Sequence, residues 1–536
     1  MARTVFAASL FLSLPCAPAL SQQAGPEPLF LAAPIDALSA VSPDPTFASE
    51  NLVGVRVELF SAASIDSLHA LALALDLENG VREIARFESS TELASGALAF
   101  SGELEGAPQS QVTFVVRGEI VTGTIRDGAR LYKLNWAGAG WHRVARVNEN
   151  LFPPCATTQA QAFSDNAAPA GGGTGGYLSN ANPTIDVMVV YTPLARQNAG
   201  GTQAIESLID LAVLESNQAY ANSQVVQRLR LVHQEELTGY SENGNFSTEL
   251  NRLTNSTDGY LDNIHALRDQ YGADEVAMIV DSTQYCGIGW LMTTLSPSFE
   301  DHGFTVTSKQ CATGYYSFAH ELGHNMGSHH DHANAGGALY PYSYGYRTAS
   351  GNYRTIMAYA PGTRIQYFSN PNVSYQGEVL GIPDGQPDAA ENWKSLNNSN
   401  TTVAQFRCAI PAPYGTGKLN SLGTRPGLSW SSTPGASPNN FHVLVSDALP
   451  NKVGLVFFGT QTNAAPLLGG TLWVGGQITR LPPQLNDGSG AADFPFPLGA
   501  FTAGDVVYAQ HWGRDPQHAD GFGVSLSNAL RIDVCP

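Results

Sequence analysis

Hydrophobic and polar positions change their rhythm three times along the 536-residue chain. From about Val53 to Val147, short apolar runs alternate with turn signals: Val112 to Val116, Arg117-Gly118, Ile120 to Ile125, Asp127-Gly128, then Leu131 to Trp136. Runs of that length, without a helical period, predict a compact antiparallel β unit. Between Ala156 and Asn180 the pattern gives way to Ala, Gln, Ser and Gly, including Gly171-Gly172-Gly173-Thr174-Gly175-Gly176. Such a stretch predicts a flexible linker open to proteolytic nicking.

A different pattern starts at Ile185 to Tyr191, whose continuous apolar character predicts a buried strand. Ile205, Leu208, Ile209, Ala212 and Val213 share one face of a helix over about 202–221. A strand near Leu229 to Leu237, a helix over about 248–271, the apolar strand Val276 to Val280 and a helix over 388–406 continue the alternation. Strands separated by helices predict an α/β region with a mixed, mostly parallel sheet. After Cys408, Pro411-Ala412-Pro413 leads into short strands with turn signals and no helical period: Phe441 to Val445, Val453 to Phe458, Thr471 to Val474, Val506 to Gln510 and Leu530 to Val534. These predict a β-sandwich-like domain over 409–536. The chain as a whole is expected to be multidomain α+β.

Composition narrows the class. With 43% hydrophobic residues, wholesale disorder is excluded. A formal charge of 27 − 46 = −19 argues against nucleic acid or a polybasic membrane surface as partner. Arg3, the apolar stretch Val5 to Leu14 and Ala19-Leu20-Ser21 read as a secretory signal over 1–21, cleaved before Gln22. No later stretch approaches the roughly 20 apolar residues that span a bilayer. The expectation is a secreted, extracellular protein in which disulfides persist.

The chemistry is concentrated in His320-Glu321-Leu322-Gly323-His324-Asn325-Met326-Gly327-Ser328-His329-His330-Asp331. On a helix, His320 and His324 project from one face and can bind one ion, while Phe318, Leu322 and Met326 point to the core. Glu321 lies where its carboxylate reaches a metal-bound water without occupying the metal, the placement of a general base. Gly327 can take the left-handed conformation that ends a helix and swings His330 back as third ligand. Three imidazoles leave one position open on a tetrahedral zinc, the pattern of a catalytic rather than a closed structural site. Asp331 is expected in a supporting hydrogen-bond role, His329 and His332 as polar surface or supporting groups, and His233, His265 and His302 as structural.

His320 to His330 resembles the elongated zinc motif of the metzincin metallopeptidases, and Asp331 is similar to the reprolysin (adamalysin) branch. Thr355-Ile356-Met357-Ala358-Tyr359 resembles the metzincin Met-turn, which implies that Met357 forms an apolar floor beneath the histidines. The resemblance covers about Ile185 to Cys408. It implies a two-lobed domain with an extended cleft that cleaves internal peptide bonds of proteins or peptides, using one Zn2+. A Tyr two residues after the Met departs from the reprolysin pattern and resembles the astacin and serralysin branches; that implies a catalytic role for Tyr359, with packing as the alternative. A bound Ca2+ and the oligomeric state are left open.

On this reading the domains are a β-rich prodomain over 22–155, a linker over 156–182, a zinc metallopeptidase domain over 183–408 and the C-terminal domain. Glu321 would take a proton from zinc-bound water and pass it to the leaving amine. An extended substrate is expected to pair with an exposed edge strand within Gly303 to Ser308. Cys155 ends the prodomain and is either a zymogen switch that blocks the zinc or an inert thiol or disulfide partner. The other four cysteines allow three pairings. Cys286 with Cys311 and Cys408 with Cys535 is the preferred arrangement; Cys286 with Cys408 is the alternative. A different class of function also fits the layout: a catalytically inactive, peptidase-like adhesion protein acting through its C-terminal β domain.

Overall fold

Every residue from Ile185 to Tyr191 is buried, as a strand paired on both edges and covered on both faces must be. The computed structural model describes residues 26–33, 46–60, 71–78, 80–159, 183–435, 440–502 and 504–535; the expected signal and the Gly-rich part of the expected linker lie outside them. In the central region we label β1 (Ala156–Gln159), β2 (Thr184–Tyr191), α1 (Thr202–Asn222), β3 (Arg228–Glu236), α2 (Phe246–Thr254), α3 (Asn263–Tyr271), β4 (Glu275–Val280), β5 (Gly287–Leu291), β6 (Phe304–Ser308), α4 (Ser317–Asn325) and α5 (Asn392–Val403). The sheet order is β1-β5-β6-β4-β2-β3. Strands β3, β2, β4 and β6 run parallel, β5 is antiparallel to β6, and β1 runs parallel to β5.

The period of two in β2 divides the core. Ile185, Val187, Val189 and Tyr191 join Ile205, Phe318, Leu322 and Met326 on the side of α1 and α4. Met188 and Val190 join Phe246, Leu250 and Ile264 on the side of α2 and α3. Both faces of the sheet are therefore covered by apolar helix stripes, the arrangement a mostly parallel sheet requires.

Three expectations need correction. The single helix over about 248–271 is two helices, because Asn255 caps α2 and its side chain accepts from the Thr257 N–H, while Gly259 takes φ +81°. Strand β6 is not an exposed edge: all five of its residues are buried between β4 and β5. Beyond it lies β5, and the first residues of the expected linker, β1, pair along the outer side of β5 and form the edge. A polar, Thr-rich run has no intrinsic preference for a linker over an edge strand, and here an open edge beside it decides.

Ten strands among the described residues between Glu27 and Val147 form one sheet, mostly successive antiparallel hairpins from Ala72–Glu78 through Trp141–Val147, with Phe47–Val55 paired beyond the last. Phe60, Phe87, Phe100 and Phe114 pack at its centre with ring centroids 4.9 to 6.1 Å apart. This sheet docks on α1 and the segment before α4. Arg117 pairs with Asp210 at 2.6 Å and Glu206 at 3.1 Å, the Tyr316 hydroxyl donates to Gln111 at 2.8 Å, and Lys133 Nζ donates to the Gln310 carbonyl at 2.6 Å. Downstream, Val453–Gly459, Val506–Arg514 and Val524–Asp533 belong to a six-stranded sheet, and Gly427–Ser431, His442–Ser446 and Ala492–Pro495 form a three-stranded one. Val443, Val445, Phe496 and Leu530 share one apolar core there. Gly470–Gly475 departs from this pattern, pairing with Gln461–Leu467 as a separate hairpin.

Candidate active site

Helix α4 ends in a Schellman motif: the Gly327 N–H donates to the His324 carbonyl at 3.0 Å and the Ser328 N–H to Gly323 at 2.8 Å, with Gly327 at φ +83°. A side chain at position 327 would also strike Leu339, whose Cδ2 lies 2.2 Å from an added Cβ. The reversal carries the chain into the short strand His329–Asp331 and returns His330 beside the helix.

Two carbonyls then fix the tautomers. His320 Nδ1 donates to Ile356 O at 2.9 Å and His324 Nδ1 donates to Ser328 O at 2.8 Å, which leaves each Nε2 with a lone pair. Both Nε2 atoms lie 3.1 Å from His330 Nε2. His330 can direct a proton at only one of them, so a cation is the group that reconciles all three. The spacing matches tetrahedral zinc, for which bonds of about 2.0–2.1 Å put ligand nitrogens about 3.3 Å apart. Burial holds His320 and His324 far below the ordinary imidazole range and lowers His330 to about 3, so all three are neutral and ligand-ready. These residues fit a zinc ion.

Met357 packs against α4: a Cβ added at Gly323 would meet its Sδ at 3.0 Å, so Gly323 lets the thioether approach the helix closely. Ile356, beside it, supplies the carbonyl that orients His320.

Glu321 is fully buried, and neither carboxylate oxygen has a hydrogen-bond partner among the described residues. Burial pushes its pKa up to about 8, with the Cys155 thiol and Arg364 offsetting part of that. The carboxylate lies against β5: a Cβ on Gly287 would be 2.4 Å from Oε1, and one on Gly289 3.0 Å from the Glu321 carbonyl oxygen. The two glycines were missed in the sequence, although Gly287-Ile288-Gly289 inside a strand is the signal for close backbone approach.

Asp331 is buried and supports the loop behind the histidines. It accepts from Asn334 Nδ2 at 3.0 Å and from the Tyr359 N–H at 2.9 Å, and it pairs with Arg347. Burial opposes its ionisation, but these donors, Arg347 foremost, hold its pKa below the ordinary carboxylate value. The Tyr359 ring packs 4.1 Å from the His330 ring, centroid to centroid. His329 is buried rather than at the surface; its Nδ1 lies 2.8 Å from the His330 backbone N and its Nε2 3.2 Å from that of Gly336, and a neutral ring accepts from one of the two. His332 is exposed, and its ring lies tilted against that of Tyr344 with centroids 3.8 Å apart.

Cys155 is the one free cysteine among the described residues and is buried. Its Sγ, a nitrogen of His320 and a carboxylate oxygen of Glu321 lie within 4.8 Å of one another. Its Sγ is 3.7 Å from Ser317 Oγ, and its carbonyl oxygen accepts a hydrogen bond from the Tyr359 phenol. Cys286 is bonded to Cys311 and Cys408 to Cys535, which leaves the alternative Cys286–Cys408 pairing unformed. Cys286 heads β5, and its N–H donates to the Pro154 carbonyl at 3.2 Å, so the Cys155 segment enters the edge-strand pairing directly.

Residues 181–384 match the metallo-peptidase family M12B, reprolysin-like. A peptidyl-Asp metalloendopeptidase of Stenotrophomonas maltophilia (strain R551-3) is 40% identical over 313 residues, 56% of this chain and 71% of that protein. One of Xanthomonas campestris pv. campestris is 38% identical over 306 residues, 56% of this chain and 70% of that protein. A second from Stenotrophomonas maltophilia (strain K279a) is 36% identical over 390 residues, 70% of this chain and 85% of that protein.

Proposed function

Because the chain belongs to the reprolysin-like metallopeptidases of family M12B and is a metalloendopeptidase, we propose that it is secreted as a latent zinc proenzyme and, once activated, cleaves proteins next to aspartate. The aspartate preference is taken from the relatives, which are named peptidyl-Asp metalloendopeptidases. The observation that carries the reading is the convergence of three buried, neutral imidazole nitrogens beside the unpartnered Glu321 carboxylate.

His320, His324 and His330 hold the zinc, which when bound polarises a carbonyl and lowers the pKa of water. Glu321 takes the proton of the attacking water and delivers it to the leaving amine; a buried carboxylate with a raised pKa suits both transfers near neutral pH. The Tyr359 hydroxyl, once free of the Cys155 carbonyl, donates to the oxyanion that develops at the scissile carbonyl. The edge of β5, once free of β1, takes up an extended substrate by main-chain pairing.

Latency follows from the same contacts. Residues 154–159 occupy the β5 edge, and Cys155 stands at the mouth of the zinc site. The N-terminal β unit anchors that segment on α1 as a prodomain, and cutting the stretch after β1 releases it. Cleavage of casein or a quenched peptide by the linker-cut chain, with and without a chelator, tests the reading. Activity that chelation abolishes and zinc restores is expected; activity indifferent to chelation refutes it.

A further inference from the structure

Among the described residues, Arg126, Arg268, Arg354 and Arg364 are buried; Arg126 pairs with Glu149, whereas Arg364, near the active site, has neither a carboxylate nor a full set of acceptors. Arg268 places Nε, Nη1 and Nη2 on the carbonyls of Ala273, Glu300 and Asp274. Arg354 places the same three nitrogens on Gly362 O, Ala358 O and the Tyr315 hydroxyl. Arg364 is only 2% exposed, yet both of its hydrogen bonds leave from Nη1, to Tyr315 O at 3.1 Å and Ser317 Oγ at 3.4 Å. Its Nε has no acceptor, and no carboxylate pairs with it among the described residues. A buried guanidinium without a carboxylate is costly to keep and is shaped to bind one through two parallel hydrogen bonds.

Its position gives that vacancy a direction. The pair Tyr353–Arg354 and Thr363–Arg364 closes the base of the loop that carries Met357 and Tyr359. Ser317, which accepts from Arg364, is also the residue 3.7 Å from Cys155 Sγ, so one hydroxyl separates the guanidinium from the thiol. Glu321, Tyr359 and Cys155 all feel its charge. When the Cys155 segment leaves, the space beside Ser317 opens next to the reacting bond, with an unpaired cation in its wall.

The geometry points to Arg364 as the residue that holds the substrate's aspartate carboxylate at the cleavage position. This rests on the aspartate preference proposed above and names the group that reads it. Lysine cannot substitute fully, since a compact ammonium offers no two-pronged fork. A site built to pair a carboxylate rejects the neutral isostere strongly, because the buried cation is then left without a partner.

The test uses the linker-cut full chain and two quenched peptides that differ only in Asp or Asn at the cleavage position. The wild-type kcat/KM ratio, Asp over Asn, is expected at about 100 or more, and Arg364→Gln should bring it to within about threefold of unity. Arg364→Lys, which preserves the charge and guards against misfolding, should lower the ratio by about tenfold. Zinc content and near-ultraviolet circular dichroism report whether each variant is folded. A ratio unchanged in the Lys variant, or a Gln variant that slows both peptides equally, overturns the assignment. A wild-type ratio near unity overturns the aspartate preference itself, before any variant is made.

Discussion

The phenol of Tyr359 donates a hydrogen bond to the main-chain carbonyl of Cys155, a residue 204 positions earlier in the chain. The contact couples the loop that carries Met357 to the segment that pairs along β5, and the Cys155 thiol lies beside His320 and Glu321. Burial pushes that thiol's pKa far up, and zinc, once bound, favours the thiolate as a ligand. If Cys155 closes the site, uncut Cys155→Ala chain should hydrolyse a quenched peptide at least about tenfold faster than uncut wild type, the change of about 1.4 kcal/mol expected for losing one ligand contact. A Cys155→Ala proenzyme as latent as wild type sinks the switch and leaves steric cover by β1 as the sole source of latency.

Gly287 leaves the Glu321 carboxylate its space. An alanine Cβ there would stand 2.4 Å from Oε1 and must push the carboxylate aside. Misplacing a reacting group by about 1 Å costs on the order of 100-fold in rate. Gly287→Ala should therefore lower kcat by roughly that factor while zinc binding is retained; wild-type kcat in this variant contradicts the packing described.

How much of this was legible in the sequence depends on range. The strand Ile185 to Tyr191, helix α1 and the His-Glu-His spacing were visible because each is a local pattern with its own period. Gly327 announced the reversal that returns His330, since few other residues accept φ +83°. The β5 edge was not legible: Gly287 to Leu291 is a short run whose role depends on β1 arriving from one side and β6 lying on the other. The expected edge within Gly303 to Ser308 failed for the same reason, because nothing in a five-residue apolar and threonine run states which neighbours it will have. Arg364 was equally hidden, as an arginine's lack of an acid partner is a property of three-dimensional surroundings alone.

His142, in the last hairpin of the N-terminal sheet, is 1% exposed and accepts the Val121 N–H at Nε2. Burial lowers its pKa from the ordinary 6.5 to about 4. As the pH falls, the unfolded chain takes up a proton near 6.5 and the folded sheet only near 4, so stability is complete above about 6.5 and is lost on the way down to 4. The full effect is about 3 kcal/mol. Urea unfolding of the N-terminal unit should show a midpoint that drops between pH 7 and pH 4.5. In His142→Gln, which keeps a neutral acceptor, this drop should shrink; an identical drop rules out His142 as its source.

The Cys286–Cys311 bond joins the head of β5 to the short helix that follows β6, closing a loop of 25 positions. A loop of that length confines the unfolded chain by about 3 kcal/mol. Replacing both cysteines with serine should lower the denaturation midpoint of the peptidase region accordingly and loosen β5 beneath Glu321. An unchanged midpoint contradicts a stabilising role for this clamp.

The central claim is that His320, His324 and His330 hold the catalytic zinc while Glu321 moves the proton. Metal analysis and peptide turnover, run side by side on linker-cut wild type and Glu321→Gln, test it most directly. One zinc per chain is expected in both, with turnover in the variant reduced at least about 1,000-fold. A Glu321→Gln protein that holds its zinc and cleaves at the wild-type rate, or a wild-type protein fully active without zinc, contradicts the account.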